Sequence, residues 1–459
     1  MSKLHFSEFN SSQKEAWKKQ AEKELGENKT KIGSWEIASD LFVDPYYTAE
    51  DVDNEQISNL QKAQKKIPGW LNIPFISFDN AWATNTKIKS SLESGADAAI
   101  LDLKETDLVK SELSKTLHGI RLSETAIFFR TTNNSEKLFK EIPRGAGYYL
   151  KGGIYNDPLA NWMHTGNDFQ EAQKNICNVL EKTKMMREFR PLMIESHVFH
   201  NAGANVVQEL AFLLASTVHY LDKLTDAGIS PLHALNRFFY SVSVGTEYLI
   251  EIAKLRALRF LYRKISRAYQ IPDELCHVFI HTQTSSFYDS AYSSENNLIR
   301  NTSEAMSAVT GGCDGLTVIP LDNASNLSTE FSERIARNIS SLLGNESYLS
   351  AVADPAAGSY QLDMMSLKIA DAAWKLFLLT EEKGGLIPCF QNGFIQSEIE
   401  DSWEKKITDF NNEKVMIGVN KYKTNEKIDE SQSFDTLENN KADSKLLPNR
   451  NLPTAILRK

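Results

Sequence analysis

From residue 72 onward the hydrophobic positions settle into a rhythm. Short runs of β-branched and aromatic residues alternate with longer stretches of helical period. That is the pattern of a parallel sheet whose strands are buried on both faces and joined by helices. The runs at 73–78, 98–103, 126–130, 148–151, 192–196, 238–242, 277–281 and 316–320 are predicted strands. Strands in this number, with helices between them, predict an α/β fold of the (β/α)8 barrel type, although a doubly wound open sheet has the same rhythm. Among the helices, 206–224 places Leu210, Leu213, Leu214, Val218 and Leu221 on one stripe, and 246–269 is equally periodic. Such stripes are core packing and carry no chemistry.

The flanks read differently. Residues 1–30 form a charged helix with Phe9, Trp17 and Leu25 on a sparse apolar face. The stretch 41–48, Leu-Phe-Val-Asp-Pro-Tyr-Tyr-Thr, suits an extended arm lying on another surface, or equally a loop packed on its own domain. A helix at 365–379 precedes Gly384-Gly385, a helix stop, and 386–414 reads as amphipathic helix. Residues 423–446 are rich in Asn, Asp, Glu, Ser and Lys and read as a solvated tail. The last segment, with Leu446, Leu447 and Leu452 in a polar strip, suits docking on a partner or a frayed end. The organisation is therefore an N-terminal helix and arm (1–65), a barrel with following helices (66–422) and a flexible tail (423–459).

Charge and composition narrow the function classes. A net charge of −9 argues against a general nucleic-acid binder, which needs a basic face. Cys177, Cys276, Cys313 and Cys389 are scattered, as free thiols in a reducing compartment are. No apolar run approaches the ~20 residues that span a bilayer, and the N-terminus has no apolar signal core. A cytoplasmic protein is the expectation.

Candidate chemistry centres on 190–204. A short strand runs into a polar turn with His197 and His200, and Asn201 is predicted to open a long helix through Ala202, Gly203 and Ala204. Small residues at such a helix start let the backbone approach a ligand, while Asn201 also suits a plain N-cap. The loop His-Thr-Gln-Thr-Ser-Ser at 281–286 places polar groups after another strand, where a barrel holds an amide, thioester or phosphate-bearing ligand. Arg334 and Arg337 are neighbours on a helix and suit phosphates or nearby carboxylates. No GxxxxGK[ST] loop, GxGxxG fingerprint, HExxH or CxxC occurs, so nucleotide hydrolysis, dinucleotide redox chemistry and a zinc site lose support.

Several stretches together resemble the methylmalonyl-CoA mutase family. They are 333–360 (Glu-Arg-Ile-Ala-Arg-Asn to Ala-Asp-Pro-Ala-Ala-Gly-Ser-Tyr), Ile252-Ala253-Lys254-Leu255-Arg256-Ala257, the loop at 281–285, and Ile417-Gly418-Val419-Asn420-Lys421-Tyr422. The resemblance is strongest over 190–422. It implies a (β/α)8 barrel threaded along its axis by the pantetheine arm of CoA, followed by a separate domain that binds adenosylcobalamin through an Asp-x-His-x-x-Gly histidine.

The chain departs from that catalytic pattern. Only 37 residues follow Tyr422, too few for a cobalamin domain, and no Asp-x-His precedes them. Catalytic members resemble Gly-Tyr-His-Met-Gln-Glu-Ala-Gly-Ala at 190–204; aligned on Ala202-Gly203-Ala204, their histidine falls on Val198 and their tyrosine on His197. The Arg-Gln-Tyr that supplies the family's active-site tyrosine is missing near Trp70-Leu71-Asn72-Ile73-Pro74-Phe75. Phe199-His200-Asn201-Ala202-Gly203 instead resembles the small, non-catalytic subunits of heterodimeric bacterial mutases.

The resemblance therefore implies a subunit without catalytic residues. Its partner would be the large catalytic subunit of a methylmalonyl-CoA mutase, which would carry the adenosylcobalamin and interconvert methylmalonyl-CoA and succinyl-CoA. This chain would bind no cofactor or metal. The alternatives are a regulatory barrel that binds a CoA ester, and a catalytic barrel that works with a separate cobalamin-binding protein. If a CoA ester binds, His281, Gln283 and Ser285 are the positions most like the family's ligand loop, and His200 is a further substrate-binding candidate. The family's arginine before that loop is Ile280 here.

Overall fold

The computed structural model describes residues 14–26, 33–38, 40–103, 106, 109–132, 134–143, 149–292, 294–325, 328–412, 414–423 and 445–457. Most of the predicted tail, 424–444, and the outer parts of the predicted first helix, including Phe9, lie outside these residues. An antiparallel hairpin, β1 (Trp35–Ala38) and β2 (Leu41–Val43), comes first. Parallel strands follow: β3 (Leu71–Asn72), β4 (Phe75–Ser77), β5 (Ala98–Asp102), β6 (Ala126–Arg130), β7 (Gly152–Tyr155), β8 (Phe189–Arg190), β9 (Leu192–Glu195), β10 (Phe238–Val244), β11 (Ile280–Thr284) and β12 (Gly315–Thr317). Among the described residues these form two five-stranded sheets, ordered β3-β12-β11-β10-β9 and β4-β5-β6-β7-β8.

Two prolines separate the sheets. Ile73-Pro74 divides β3 from β4, and Pro191 divides β8 from β9. Proline has no N–H to give to a ladder, so each run is interrupted there. Bonding continues around the first break: the Ile73 N–H donates to the Leu316 carbonyl at 2.9 Å, and the Ile100 N–H donates to the Pro74 carbonyl at 3.0 Å.

Period-two alternation sends side chains to two sides of the sheets. Ala99 and Leu101 of β5, Ile127 and Phe129 of β6 and Ile154 of β7 pack under the helices of one sheet. Leu192 and Ile194 of β9, with Tyr240, Val242 and Val244 of β10, pack under those of the other. The residues between them point the opposite way. Ile73, Ala98, Ile100, Phe128, Tyr155, Met193 and Phe239 form one buried cluster drawn from both sheets, with Phe75 and Phe279 against it. Its rings lie 5.3 Å (Phe128–Phe239), 5.7 Å (Phe75–Tyr155) and 6.1 Å (Phe128–Phe279) apart, and the Arg190 guanidinium stacks on Phe279 at 4.7 Å.

Four sequence expectations are corrected. The strand expected at 148–151 is β7, four residues later; Tyr148 itself lies outside the described residues. Gly152 and Gly153 weaken a strand signal, but here they let the backbones close up. A Cβ on Gly152, at φ +99°, would sit 2.1 Å from the Ile127 carbonyl oxygen, and one on Gly153 2.1 Å from that of Arg190. The strand expected at 277–281 begins instead at Ile280.

Asn201 does not open the long helix. It lies inside a short one, His197–Ala202, which Gly203 ends at φ +107°. The long helix, Val206–Asp226, starts from Asn205, whose side chain accepts from the Val207 and Gln208 amides while Gln208 accepts from the Asn205 amide. That reciprocal capping box is a stronger start signal than a lone asparagine. Finally, 386–414 is two helices, Leu386–Gln391 and Phe394–Asn412, parted at Asn392-Gly393.

The helices Val206–Asp226, Tyr248–Ala268 and Tyr360–Glu382 pack together over the sheet that contains β9 and β10. The N-terminal hairpin lies against them: Val43 and Tyr47 are buried in that core, and Gln361 and Lys368 hold the Asp44 and Phe42 carbonyls. At the other end of the chain, 447–451 forms a strap across the strand ends. The Leu447 amide donates to Met163 O (2.9 Å), the Arg450 amide to Asn201 O (2.8 Å), and Asn451 Nδ2 to Asp289 O (2.9 Å).

Candidate functional site

Parallel strands place their carboxyl ends on one side, where loops supply ligand-binding groups. There the chain holds a cavity of about 460 Å³, with Asp102, Arg130, Asp157, Glu195, His197, Gln283 and Arg337 among its polar walls and Asn449 of the strap at its edge. Val198 lines it too. A valine offers no hydrogen bond to a carbonyl there.

The cations of the cavity are engaged. Arg130 pairs with Asp102 at 3.2 Å, and Arg337 Nε donates to the Ser94 carbonyl at 3.1 Å. Arg334, about one helical turn before it, stacks on Phe331 at 5.5 Å. Asp157 is a structural staple. It accepts from the Leu159, Ala160 and Glu195 amides and, at 2.6 Å, from the Tyr220 hydroxyl. Burial nevertheless pushes its carboxyl up to about 6.

Burial, with Asp157 beside it, also pushes the Glu195 carboxyl up to about 8. A carboxyl whose pKa is higher folded than unfolded binds more protons in the native state, so its contribution to stability declines as pH rises between the two values. Glu195→Gln is therefore expected to lose less Tm than the parent chain between pH 6 and pH 9. Identical slopes in thermal melts would show that Glu195 ionises freely.

The floor of the cavity is a belt of uncharged hydrogen bonds. Ser241 Oγ lies 2.7 Å from His197 Nε2, 2.8 Å from the Tyr155 hydroxyl and 2.9 Å from His281 Nδ1. His197 Nδ1 reaches Ser243 Oγ at 2.6 Å, and His281 Nε2 reaches Thr317 Oγ1 at 2.8 Å. Burial pushes both imidazoles down to about 3, with His281 and His200 adding to the effect at His197, so both are neutral at ordinary pH. Beneath the belt lies the aromatic cluster.

The four positions predicted from the resemblance do not converge. Gln283 faces the cavity. His281 sits in the floor with both ring nitrogens occupied. Correction of the strand start explains this, since His281 is the second residue of β11 rather than the last of a strand. Ile280 is fully buried.

His200 and Ser285 lie elsewhere. His200 Nε2 is 2.7 Å from Ser285 Oγ, and its Nδ1 is 2.5 Å from Glu209 Oε1. Lys254, fully buried, bridges Glu209 at 3.1 Å and Glu251 at 2.6 Å. Burial alone would raise the Glu209 carboxyl, but Lys254 and His200 hold it down. Such a paired network fixes the helices it joins and leaves no donor for a ligand. Glu195, Ser241 and Tyr155 were missed from sequence because single polar residues in strands carry no spacing signal; the alternating Ser241 and Ser243 in an otherwise apolar run are the trace that could have found them.

With that geometry in place, comparison with known proteins is informative. A family model described as methylmalonyl-CoA mutase matches residues 137–449. The chain belongs to the methylmalonyl-CoA mutase family. It is 30% identical over 415 residues to the methylmalonyl-CoA mutase small subunit of Porphyromonas gingivalis, covering 86% of this chain and 67% of that one. To the methylmalonyl-CoA mutase of Cereibacter sphaeroides it is 29% identical, covering 89% of this chain and 64% of that one. The methylmalonyl-CoA mutase small subunit of Streptomyces virginiae is 28% identical over 70% of this chain and 53% of its own length. The chain thus spans about two thirds or less of these relatives.

Membership in the mutase family raises the question of cobalamin. Among the described residues no group of three or more His, Cys, Asp or Glu is arranged to hold a metal ion. The imidazoles of the mouth, His197 and His281, have every ring nitrogen within 2.9 Å of a hydroxyl. His197 and His281 are therefore not free to act as cobalt ligands. Nor, among the described residues, is any helix long and apolar enough to cross a membrane.

Proposed function

We propose that this chain is the small, non-catalytic subunit of a heterodimeric methylmalonyl-CoA mutase, and that its two sheets are arcs of one closed (β/α)8 barrel. Closure is supported at both seams. Residues 71–77 pair with β12 through β3 and with β5 through β4, and residues 189–195 pair with β7 through β8 and with β10 through β9. Each seam is one continuous run of chain interrupted only at proline.

The observation that carries the functional reading is the aromatic cluster. A catalytic member of the family threads the pantetheine arm along the barrel axis, and here that axis is occupied by Phe75, Phe128, Tyr155, Phe239 and Phe279. Close-packed rings leave no room for a chain of methylenes and amides without displacing side chains worth several kcal/mol each. Val198 and the two neutral, fully bonded imidazoles point the same way. Adenosylcobalamin and the substrate then belong to the large subunit, and this chain stabilises that partner through a shared surface. The exposed faces of Phe42 and Tyr46 on the N-terminal arm, each 44% accessible, are positioned for that surface.

The test is succinyl-CoA to methylmalonyl-CoA interconversion with added adenosylcobalamin. It is run on this chain alone and after co-expression with a large subunit from the same source. Activity only in the mixture, with one-to-one co-elution, is expected. Turnover by the purified chain alone would overturn the reading. Phe42→Asp with Tyr46→Asp is expected to weaken co-elution while leaving the Tm of the isolated chain nearly unchanged; undiminished co-elution would remove the arm from the interface.

A further inference from the structure

The strap at the end of the chain is gripped as a bound peptide is. It runs without regular structure from Leu447 to Asn451, and a short helix, Leu452–Leu457, follows, with Asn451 Oδ1 accepting from the Thr454 amide at 3.0 Å. Distant segments hold its backbone. Gln396 Nε2 donates to the Lys445 carbonyl at 2.6 Å, and His164 Nδ1 donates to the Leu447 carbonyl at 2.9 Å. The Met163 and Asn201 carbonyls accept from the Leu447 and Arg450 amides.

Side chains are recognised as well. Leu447 is buried in the main core, whereas Leu452 and Ile456 enter a separate apolar cluster with Phe287, Met416 and Trp403. Between these anchors Arg450 pairs with Glu400 and stacks on Trp403 at 4.8 Å. Asn451 Nδ2 reaches the Ser286 and Asp289 carbonyls. The groove therefore reads a pattern, Leu-x-x-Arg-x-Leu-x-x-x-Ile, with apolar anchors on either side of one charged, aromatic-backed position.

The connection to the strap is longer than its span requires. Asn420 Nδ2 donates to the Phe410 carbonyl, and Gln396 holds Lys445. Phe410 and Gln396 stand fourteen residues apart on the helix Phe394–Asn412, about 21 Å. Residues 424–444 can reach about 70 Å. We propose that the groove is a peptide-recognition site whose ligand is the chain's own segment 445–457, held reversibly, so that the same segment supplied in trans can take its place. Contacts made in trans are those made in cis. Only the effective concentration set by the connecting chain, on the order of mM, favours the tethered copy. Exchange reaches the barrel mouth, because His164, Asn201 and Ser286, which hold the strap, line the mouth cavity together with Asn449 of the strap itself.

The test uses the full chain with a specific protease site inserted within residues 424–444, and a fluorescein-labelled peptide of residues 445–459. Before cleavage the tethered strap is expected to keep micromolar peptide out. After cleavage the peptide is expected to enter one-to-one, read by fluorescence anisotropy and co-elution, with an apparent affinity about 100-fold or more above that for the uncleaved chain. The Arg450→Ala peptide is expected to bind about tenfold more weakly, and the Leu447→Asp, Leu452→Asp peptide not to enter. These substitutions are made in the peptide, so the fold of the chain is the same in every comparison. A cleaved chain that keeps its own strap through a day in a large excess of labelled peptide would overturn the proposal. So would a cleaved chain that loses its strap and takes up no peptide, or one that binds the double-aspartate peptide as well as the parent.

Discussion

Gly153→Val is expected to leave no soluble, folded protein. In β7 this glycine lies between β6 and β8, and even a single Cβ would come to 2.1 Å of the Arg190 carbonyl oxygen. Neither neighbour can yield. Arg190 precedes Pro191 at the seam between the sheets, and β6 is locked by five parallel register pairs to β5. Moving β8 away would strip Arg190 from Phe279 and open the aromatic cluster, whose large side chains cost about 3–5 kcal/mol apiece when removed. That loss approaches the whole stability of an ordinary domain, about 5–15 kcal/mol. Soluble expression and far-UV circular dichroism check the outcome, and a folded Gly153→Val chain with the parent Tm would show that the strands stand further apart than this contact requires.

The second large effect is at Arg256. This side chain is fully buried, donates to Asp363 at 2.7 Å and forks onto both oxygens of Asp354 at 3.1 Å. It ties the helix Tyr248–Ala268 to the 354–360 turn and to the start of Tyr360–Glu382. Arg256→Met keeps most of the volume but leaves two carboxylates without a counter-charge, and is expected to cost about 3–5 kcal/mol. Adding Asp363→Asn and Asp354→Asn should recover part of that loss, because the cost arises from stranded charge and not from missing packing. Denaturant melts of the single and combined variants measure it. Full additivity of the losses would refute the ion-pair account.

Both sites illustrate how sequence patterns translate into structure. Arg256 stands in a stretch that resembles the mutase family, and Asp354 and Tyr360 in another, 98 residues or more away. The resemblance marked both stretches, and the fold shows them to be two halves of one buried ion-pair cluster. Gly153 misled in the opposite direction. Glycine lowers a strand's propensity and so hides β7 from the sequence pattern, whereas crowding by the neighbouring backbones is what requires glycine there. At Asn201 the local signal, an asparagine before small residues, was matched by a better one four positions on, where Asn205 and Gln208 cap each other.

What the sequence determined by itself is what local periodicity encodes. Alternating apolar runs specified parallel strands, and the stripes at 206–224 and 246–269 specified the helices that cover them, because period 2 and period 3.6 are properties of neighbours along the chain. Its motifs also specified the family. Tertiary structure alone decided which polar side chains meet. Tyr155 and Ser241 are 86 residues apart and Ser285 and His200 are 85 apart, and no spacing rule joins them. Tertiary structure decided, too, that His281 serves the floor and His200 an ion network, and that five aromatic rings fill the space between the sheets. A buried donor takes whichever acceptor the folded backbone brings within about 3 Å, and that proximity is created by the packing of distant segments.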